Sequence, residues 1–268
     1  MFSKRHDAPS ISTDFYILFG HIEVVMKAAP GVGIISSVVL MSDDADEIDL
    51  EFSGNNFGAA GGKVQTNYFG KGMIGNYDRG TQPMVEDPQT EFHTYALDWS
   101  STSLMWSVDG AAIRTLPNSN ANSGPYQYPQ TPVRLQIGLW DAGDVDTPNG
   151  TVLWAGGYTD LSKAPFTMFV KSVNITNASP CSGGYQYTDM SGSCQSIKCV
   201  DTDFSSSSNA TLAGTLVSSS QTGNAASSAL PTSSSTSSAG SSSTMVPTAP
   251  CNLLLWLSLF LLRRHLAP

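Results

Sequence analysis

The stretch Ser42-Asp-Asp-Ala-Asp-Glu-Ile-Asp-Leu-Glu-Phe52 alternates acidic and large apolar side chains through its second half. Within it, Glu47, Asp49 and Glu51 are each followed by an apolar residue. Because successive residues of a strand point to opposite faces, the alternation predicts a strand with carboxylates on one face and a buried apolar row on the other. Like charges at this spacing repel one another, and a purely structural strand has no reason to keep them. The stretch therefore predicts a functional acidic face.

Paired carboxylates at this spacing are typical of glycosidases, which place an acid and a carboxylate on either side of the bond that they cleave. The Cα atoms of Glu47 and Glu51 would lie about 13 Å apart along a strand. Side chains that lean inward can close this gap to the roughly 5–5.5 Å of a retaining enzyme, although the spacing alone leaves the wider gap of an inverting enzyme open. A third acid between them, Asp49, can hold a proton and separate the two pKa values.

Two other interpretations of the acidic stretch remain open at this point. The first is an acidic strand that faces solvent and carries no chemistry. The second is a calcium loop built from Asp43, Asp44 and Asp46, although the ligand spacing and the glycine of an EF-hand loop are missing.

Residues 8–178 predict an all-β fold, because runs rich in Val, Ile, Tyr, Phe and Thr alternate with Gly, Pro, Asn and Asp. Asp109-Gly110 predicts a tight hairpin, since a type I′ turn needs two positive φ angles. Many short strands at this spacing favour an antiparallel β-sandwich or jelly roll. The predicted strands are Phe15–Lys27, Ile34–Met41, Glu47–Phe52, Lys63–Phe69, Phe92–Trp99, Ser103–Val108, Ala111–Leu116, Val133–Leu139 and Phe166–Thr176.

The composition divides the 268 residues into four parts. We expect a catalytic sandwich over 1–178, a Cys-containing extension over 179–204, a disordered and O-glycosylated Ser/Thr-rich stalk over 205–250, and a hydrophobic anchor signal over 251–268. The apolar run Leu253–Leu262 is too short to span a bilayer but is typical of the tail of a GPI-attachment signal. A net charge of −9 argues against nucleic acid as a partner.

The low charge and the surplus of Ser, Thr, Gly and Asn suggest an extracytoplasmic glycoprotein, and N-x-S/T sequons support this interpretation. We expect a Cys181–Cys194 disulfide with Cys199 left over, although the sequence does not determine the pairing. The candidate glycosylation sites are Asn149, Asn174, Asn177 and Asn209.

The amino end does not fit a secreted protein, because the charged segment from Met1 to Asp7 is followed by no apolar signal sequence. We therefore expect the natural amino terminus to lie further upstream.

The acidic stretch also carries a resemblance to a known family. Glu47-Ile-Asp-Leu-Glu51 resembles the E-I-D-x-E signature of glycoside hydrolase family 16. Val64-Gln-Thr-Asn-Tyr-Phe-Gly-Lys-Gly72 resembles its Crh branch, the fungal cell-wall enzymes that join chitin to glucan. Further similar segments are Asp14-Phe-Tyr, Gly31-Val-Gly-Ile-Ile-Ser-Ser37, Phe92-His-Thr-Tyr95, Tyr128-Pro-Gln-Thr-Pro132, Trp154-Ala-Gly-Gly157 and Pro165-Phe-Thr-Met168.

The resemblance implies a concanavalin-like jelly roll with a glycan-binding face. It makes Glu47 the nucleophile, Glu51 the proton donor and later the base, and Asp49 the assisting acid. It implies no cofactor and no metal. The partners it implies are chitin and β-glucan, bound by a monomer that a GPI anchor holds at the outer face of the membrane or in the cell wall.

The resemblance also assigns substrate-binding residues. Trp140 matches a sugar-stacking Trp and Thr151 a sugar-binding Thr, whereas Gln136 stands where the family tends to carry a basic residue. Gln65, Asn67 and Tyr68 are further polar candidates, together with Glu51 itself. For Trp99, Trp106 and Trp154, core and binding roles are equally expected, while His21 and His93 are expected to be structural.

The expected function is chitin–glucan cross-linking by transglycosylation. The alternatives are plain endo-hydrolysis of chitin or β-glucan and a non-catalytic carbohydrate-binding wall protein. Two departures from the family bear on this choice: the stretch Ser53–Gly62 is longer than in relatives, and strands expected upstream of Asp14 are missing. Their loss would leave a strand edge bare and the sandwich incomplete.

Overall fold

A computed structural model describes residues 1–200 except 56, 59–60, 76 and 122–126, with only the backbone at 57, 58 and 61. The expected stalk, the anchor signal and Asn209 lie outside the described residues. The main body is two antiparallel five-stranded sheets packed face to face, which confirms the predicted β-sandwich. In the part of the chain that the structure describes, no helix has the length and apolarity needed to cross a membrane.

The two sheets differ in what they carry. The first sheet holds the acidic stretch and has the strand order β1 (Ser10–Ser12), β12 (Val133–Asp141), β3 (Ile34–Ser42), β4 (Glu47–Ser53) and β7 (Gln65–Phe69). The second sheet has the order β11 (Ala111–Pro117), β10 (Ser103–Val108), β9 (His93–Trp99), β2 (Gly20–Lys27) and β13 (Phe169–Asn177). The smaller elements are β5 (Phe57–Gly58), β6 (Gly61–Lys63), β8 (Met84–Val85), β14 (Tyr185–Tyr187), β15 (Ile197–Cys199), α1 (Asn118–Ala121) and α2 (Asn149–Trp154).

The core lies between the two sheets and is built from alternate residues of each strand. Ile48, Leu50 and Phe52 of β4 all belong to it, so the carboxylates between them face the other way. From the second sheet, the buried Trp106 donates its Nε1–H to the backbone oxygen of Asp49 at 3.3 Å. Trp99 is likewise buried, and its Nε1–H bonds the Pro129 oxygen at 3.0 Å. Both tryptophans are therefore core residues.

Most predicted strands are confirmed to within one or two residues, but the segment Phe15–Lys27 is not one strand. Phe19 and Gly20 have φ angles of 61° and 129°, which break the extended backbone before β2 begins. A Cβ at Gly20 would lie 1.9 Å from the Thr176 oxygen, so only glycine fits there. The hairpin at Asp109 and Gly110 is confirmed by φ angles of 50° and 79°.

One side of the sandwich is open in the described part of the chain, where β13 is an edge strand of the second sheet. Val173 is 40% exposed, and Ile11 of β1, at the end of the first sheet, is 61% exposed. Apolar side chains at the edges of both sheets thus remain exposed along this side. The long stretch Ser53–Gly62 contributes β5, which pairs with β6.

The disulfide joins Cys181 to Cys199, so the expected Cys181–Cys194 pairing is wrong. The reason is the antiparallel β14–β15 hairpin, whose register pairs Tyr185 with Cys199 and brings the chain just before β14 next to β15. The two Cα atoms lie 5.4 Å apart, within the range that a disulfide bridges. Cys194 instead begins the 3-10 turn Cys194–Ser196 within the connection of the hairpin and is a free thiol.

Replacing Cys181 with Ser is expected to loosen this hairpin. Closing a loop with a sequence separation of 18 residues contributes about 3 kcal/mol, so opening of the hairpin should become roughly 100-fold more frequent. Limited proteolysis of the native protein measures this as faster cleavage within 181–200. Cys194→Ser is the matched control and should leave the cleavage rate unchanged, whereas faster cleavage of the control than of the Cys181 variant would contradict the pairing.

The predicted glycosylation sites differ in accessibility. Asn149 and Asn174 are exposed, whereas Asn177 is half-buried and donates from Nδ2 to the Tyr16 oxygen at 3.2 Å and to the Tyr185 hydroxyl at 3.1 Å. A glycan on Nδ2 would replace one of these donors. The structure therefore argues against Asn177 as an acceptor.

Candidate active site

The three carboxylates of β4 lie on one face of the first sheet, pointing away from the core. We call this the acidic face. Glu47 is 3% exposed and Asp49 2%, while Glu51 is half-buried. Side chains on the solvent side of a sheet are buried to this degree only when neighbouring rows and loops enclose them. The acidic face is therefore recessed, and Glu51 is its most open carboxylate.

Strand register places a row of neighbours beside each carboxylate. Glu51 lies between Gln65 of β7 and Ser37 of β3, and Ser37 in turn pairs with Gly138 of β12. Both of these small residues are buried, Ser37 with 2% exposure. Glu51 thus has a polar neighbour on the β7 side and a small, buried neighbour on the β3 side.

The row through Asp49 is made of larger neighbours. Asp49 lies between Asn67 and Val39, and Val39 pairs with Gln136. The predicted polar residues Gln65, Asn67 and Gln136 thus share the acidic face with the carboxylates.

Tyr68 does not share that face, so its assignment as a binding residue is wrong. It pairs with Ile48 and belongs to the core, where it is 4% exposed. Its ring lies under the guanidinium group of Arg114, whose carbon is 5.4 Å from the ring centroid. Burial raises the pKa of the Tyr68 phenol, which suits a packing role. Strand alternation is the reason, because Tyr68 and Asn67 are consecutive.

Trp140 lies on the same face as Gly138, two residues further along β12. Its ring stacks on Trp154 of α2, with ring centroids 5.9 Å apart and an angle of 19° between the planes. Trp154 also donates its Nε1–H to Gln65 Oε1 at 2.9 Å. Thr151, the predicted sugar-binding threonine, lies on α2 three residues before Trp154. The structure thus places Thr151 and Trp154 on one helix beside Trp140.

Sequence reasoning missed α2, because six residues are too few to show helical periodicity. The residues at its two ends nonetheless indicate where a helix begins and ends. Pro148 precedes the first turn, and Gly156 and Gly157 follow the last with φ angles of 87° and 131°.

Asp46, the residue before Glu47, is a buried anchor at the start of β4. Its Oδ2 accepts hydrogen bonds from the backbone N–H groups of Gln130 at 2.7 Å and Thr131 at 3.1 Å, and from the Thr131 hydroxyl at 2.7 Å. The Lys71 ammonium forms an ion pair with the same oxygen. Burial raises the pKa of Asp46, while the Lys71 charge acts in the opposite direction.

The Lys71 ammonium group pairs with Asp44 as well as with Asp46, since its Nζ also lies 3.3 Å from Asp44 Oδ2. The acidic stretch before β4 is thus held by a side chain of the protein itself. Gln130 extends the anchor to the hairpin, because its Oε1 accepts from the Cys194 N–H at 3.1 Å.

The histidines predicted to be structural have acidic neighbours outside the acidic face. His21 Nδ1 lies 2.7 Å from Asp98 Oδ1 and His93 Nδ1 lies 2.7 Å from Asp109 Oδ2. Both pairs belong to the second sheet or its hairpin turn, which agrees with a structural role.

Comparison with known proteins extends the match beyond the signature. The chain is 55% identical over 196 residues to Crh-like protein 5 of Aspergillus fumigatus, covering 73% of this chain and 48% of that protein. It is 43% identical to Congo red hypersensitive protein 1 of Saccharomyces cerevisiae, covering 73% of this chain and 37% of that protein. The chain thus spans about half the length, or less, of these curated relatives.

Solved structures show the same similarity. A structure described as Crh5 transglycosylase in complex with NAG is 54% identical, with a TM-score of 0.70, covering 74% of this chain and 80% of that chain. The apo form of that transglycosylase gives a TM-score of 0.69 at the same identity.

The family assignment rests on a match that contains the whole acidic face. The sequence profile described as Glycosyl hydrolases family 16 matches residues 1–156, more than half of the 268 residues. That range includes β4 with its three carboxylates, the neighbouring β3 and β7, β12 with Trp140, and α2. The chain belongs to glycosyl hydrolase family 16.

Proposed function

We propose that the chain is a retaining glycosidase and transglycosylase that cleaves a chitin or β-glucan donor and transfers it to a glucan or chitin acceptor. The observation that carries the proposal is the recessed face on which β4 aligns Glu47, Asp49 and Glu51. A 54% identical structure described as a transglycosylase bound to NAG supports the substrate class.

In the first half of the reaction, a Glu47 carboxylate oxygen attacks the anomeric carbon of the donor. The bond from that carbon to the leaving sugar oxygen breaks as Glu51 gives this oxygen its proton. The donor is then covalently attached to Glu47, and Glu51 is a carboxylate.

In the second half, Glu51 takes the proton of an acceptor hydroxyl, whose oxygen bonds to the anomeric carbon and displaces Glu47. Partial exposure suits Glu51 for this step, because an incoming acceptor must reach it. Asp49, between the two glutamates on the same face, supplies a third acid that separates their protonation states.

Whether the acceptor is a sugar or water decides between cross-linking and hydrolysis. Transfer is favoured when the acceptor sugar is bound and oriented before water arrives. Trp140, Thr151, Gln65, Asn67 and Gln136 lie around the acidic face and supply aromatic and polar contacts of the kind that bind sugars. We therefore propose transfer as the main reaction.

The direct test incubates the full chain with a labelled chito-oligosaccharide donor and a β-glucan acceptor, and separates the products. Label on the glucan is the expected result. Release of shortened oligosaccharides alone would identify an endo-hydrolase, and binding without any product would identify a carbohydrate-binding wall protein.

We also propose that the protein is held at the outer cell surface or in the cell wall by a GPI anchor and acts there as a monomer. The proposal rests on the Ser/Thr-rich stalk and the apolar run Leu253–Leu262 in the sequence. Release of the surface protein by phosphatidylinositol-specific phospholipase C tests the anchor, and retention after that treatment would contradict it.

A further inference from the structure

Lys71 continues the strand pairing that fixes Glu47. The last residue of β7 pairs with Glu47, and the chain beyond β7 remains bound to the residues before β4. The Lys71 N–H donates to Asp46 Oδ1 at 3.1 Å, and the Gly72 N–H donates to the Ala45 oxygen at 2.8 Å. The peptide that carries Glu47 is therefore held both within β4 and on its amino-terminal side.

The backbone of Lys71 has an uncommon conformation. Its φ angle is 54°, in the left-handed region that residues other than glycine rarely occupy. Such a conformation persists where the surrounding contacts determine it. Here the ammonium group forms ion pairs with Asp46, whose side chain is fully buried, and with Asp44. The Lys71 side chain is itself only 17% exposed, so loss of either partner would leave a largely buried charge.

The β14–β15 hairpin contacts this ion pair from outside. A Cβ atom added at Gly192 would lie 2.2 Å from Lys71 Cε and 2.7 Å from Asp44 Oδ2, so a larger residue there must displace the lysine side chain. Two residues later, the Cys194 N–H donates to Oε1 of Gln130, which belongs to the buried anchor around Asp46. The connection of the hairpin thus packs on Lys71 and on the anchor together.

The hairpin is firmly attached to the sandwich. Tyr185 and Ile197 pack against the main core, and the Tyr185 hydroxyl accepts from Asn177 Nδ2 at 3.1 Å. Ser196, in the connection, is 2% exposed. The segment that covers Lys71 is therefore fixed relative to β4.

We propose that Lys71 is a positioning residue for the nucleophile Glu47, and that the hairpin keeps Lys71 in place through Gly192. The inference rests on the proposed function and deepens it. An attacking carboxylate must lie in near-attack geometry, and a displacement of about 1 Å can lower the rate about 100-fold. The proposed sugar-binding residues Trp140 and Thr151 lie on β12 and α2, so displacing Lys71 should lower kcat and change KM little.

Transfer kinetics of the full chain, with a labelled chito-oligosaccharide donor and a β-glucan acceptor, test the inference. Gly192→Ala should displace Lys71 and lower kcat by about 10-fold or more, with KM within about 2-fold of the parent value. Lys71→Met removes the charge and keeps an apolar stem, and it should lower kcat by a similar factor. Thermal unfolding measures how much of each variant is folded, and rates are expressed per folded protein.

Gly184→Ala is the matched control. Gly184 belongs to the same hairpin and has a φ angle of 91°, but a Cβ atom there would meet nothing within 4 Å. The replacement adds backbone strain without touching Lys71, so kcat should stay at the parent value. An equal loss of kcat in this control would contradict the inference, because strain anywhere in the hairpin would then explain the effect.

Combining Gly192→Ala with Lys71→Met tests whether the glycine acts through the lysine. If it does, the double variant should have about the kcat of the slower single variant. Losses that multiply, or a rise in KM at unchanged kcat in the single variants, would contradict the inference. If the parent transfers sugar and both single variants keep its kcat, the inference is wrong while the proposed function stands. If the parent forms no product, both are wrong.

Discussion

Replacing Glu47 with Gln is expected to lower the rate of glycosyl transfer by about 10³-fold or more, because an amide cannot form the covalent intermediate. Initial rates with a labelled donor and acceptor measure the loss. The replacement should not unfold the protein, since Gln has nearly the same volume and removes one carboxyl group from a cluster of three. We expect the unfolding temperature of the variant to equal or exceed that of the parent.

Glu86→Gln is the control for this prediction, because Glu86 is exposed and follows β8 outside the acidic face. It should transfer sugar at the parent rate. Product formation that persists in Glu47→Gln would show that another group is the nucleophile.

Replacing Asp46 with Ala is expected to cost about 3–5 kcal/mol of unfolding free energy, because it leaves the Lys71 ammonium without its buried partner. The backbone N–H groups of Gln130 and Thr131 lose their acceptor in the same step. Denaturant unfolding measures the change. Asp43→Ala is the matched control, since this carboxylate is exposed and accepts only from the Tyr16 hydroxyl among the bonds described.

Asp46 should also make the free energy of unfolding depend on pH. Because burial raises its pKa, the folded protein takes up this proton at a higher pH than the unfolded chain does. The stability that Asp46 contributes is therefore fully present at a pH below its pKa in the unfolded chain. That stability is lost as the pH rises through its pKa in the folded protein. Asp46→Asn should remove that dependence, and an unchanged pH profile would contradict the assignment.

Strand β4 is predictable from the sequence because its side chains alternate without interruption. The same alternation also decides which face of β7 points to the site, since Gln65 and Asn67 pair with Glu51 and Asp49. Tyr68 stands between these two residues, so the alternation turns its side chain to the core, where it pairs with Ile48.

Other features depend on contacts between distant segments and were not predictable. The Cys181–Cys199 bond follows from the register of a hairpin with strands of only three residues each. The bond from Trp154 to Gln65 joins residues 89 positions apart. Neither the pairing nor the contact leaves a periodic pattern in the sequence, which is why the core and binding roles of Trp154 were equally expected from sequence alone.

The covalent attachment of donor sugar to Glu47 tests the account most directly. The Glu51→Gln variant lacks the base for the second half of the reaction, so an activated glycosyl fluoride donor should leave it trapped as the glycosyl-enzyme. Mass spectrometry with fragmentation of the peptide spanning residues 42–53 then locates the added mass. The account predicts one glycosyl group on Glu47, whereas a group on Asp49 or elsewhere, or products with inverted anomeric configuration, would contradict it.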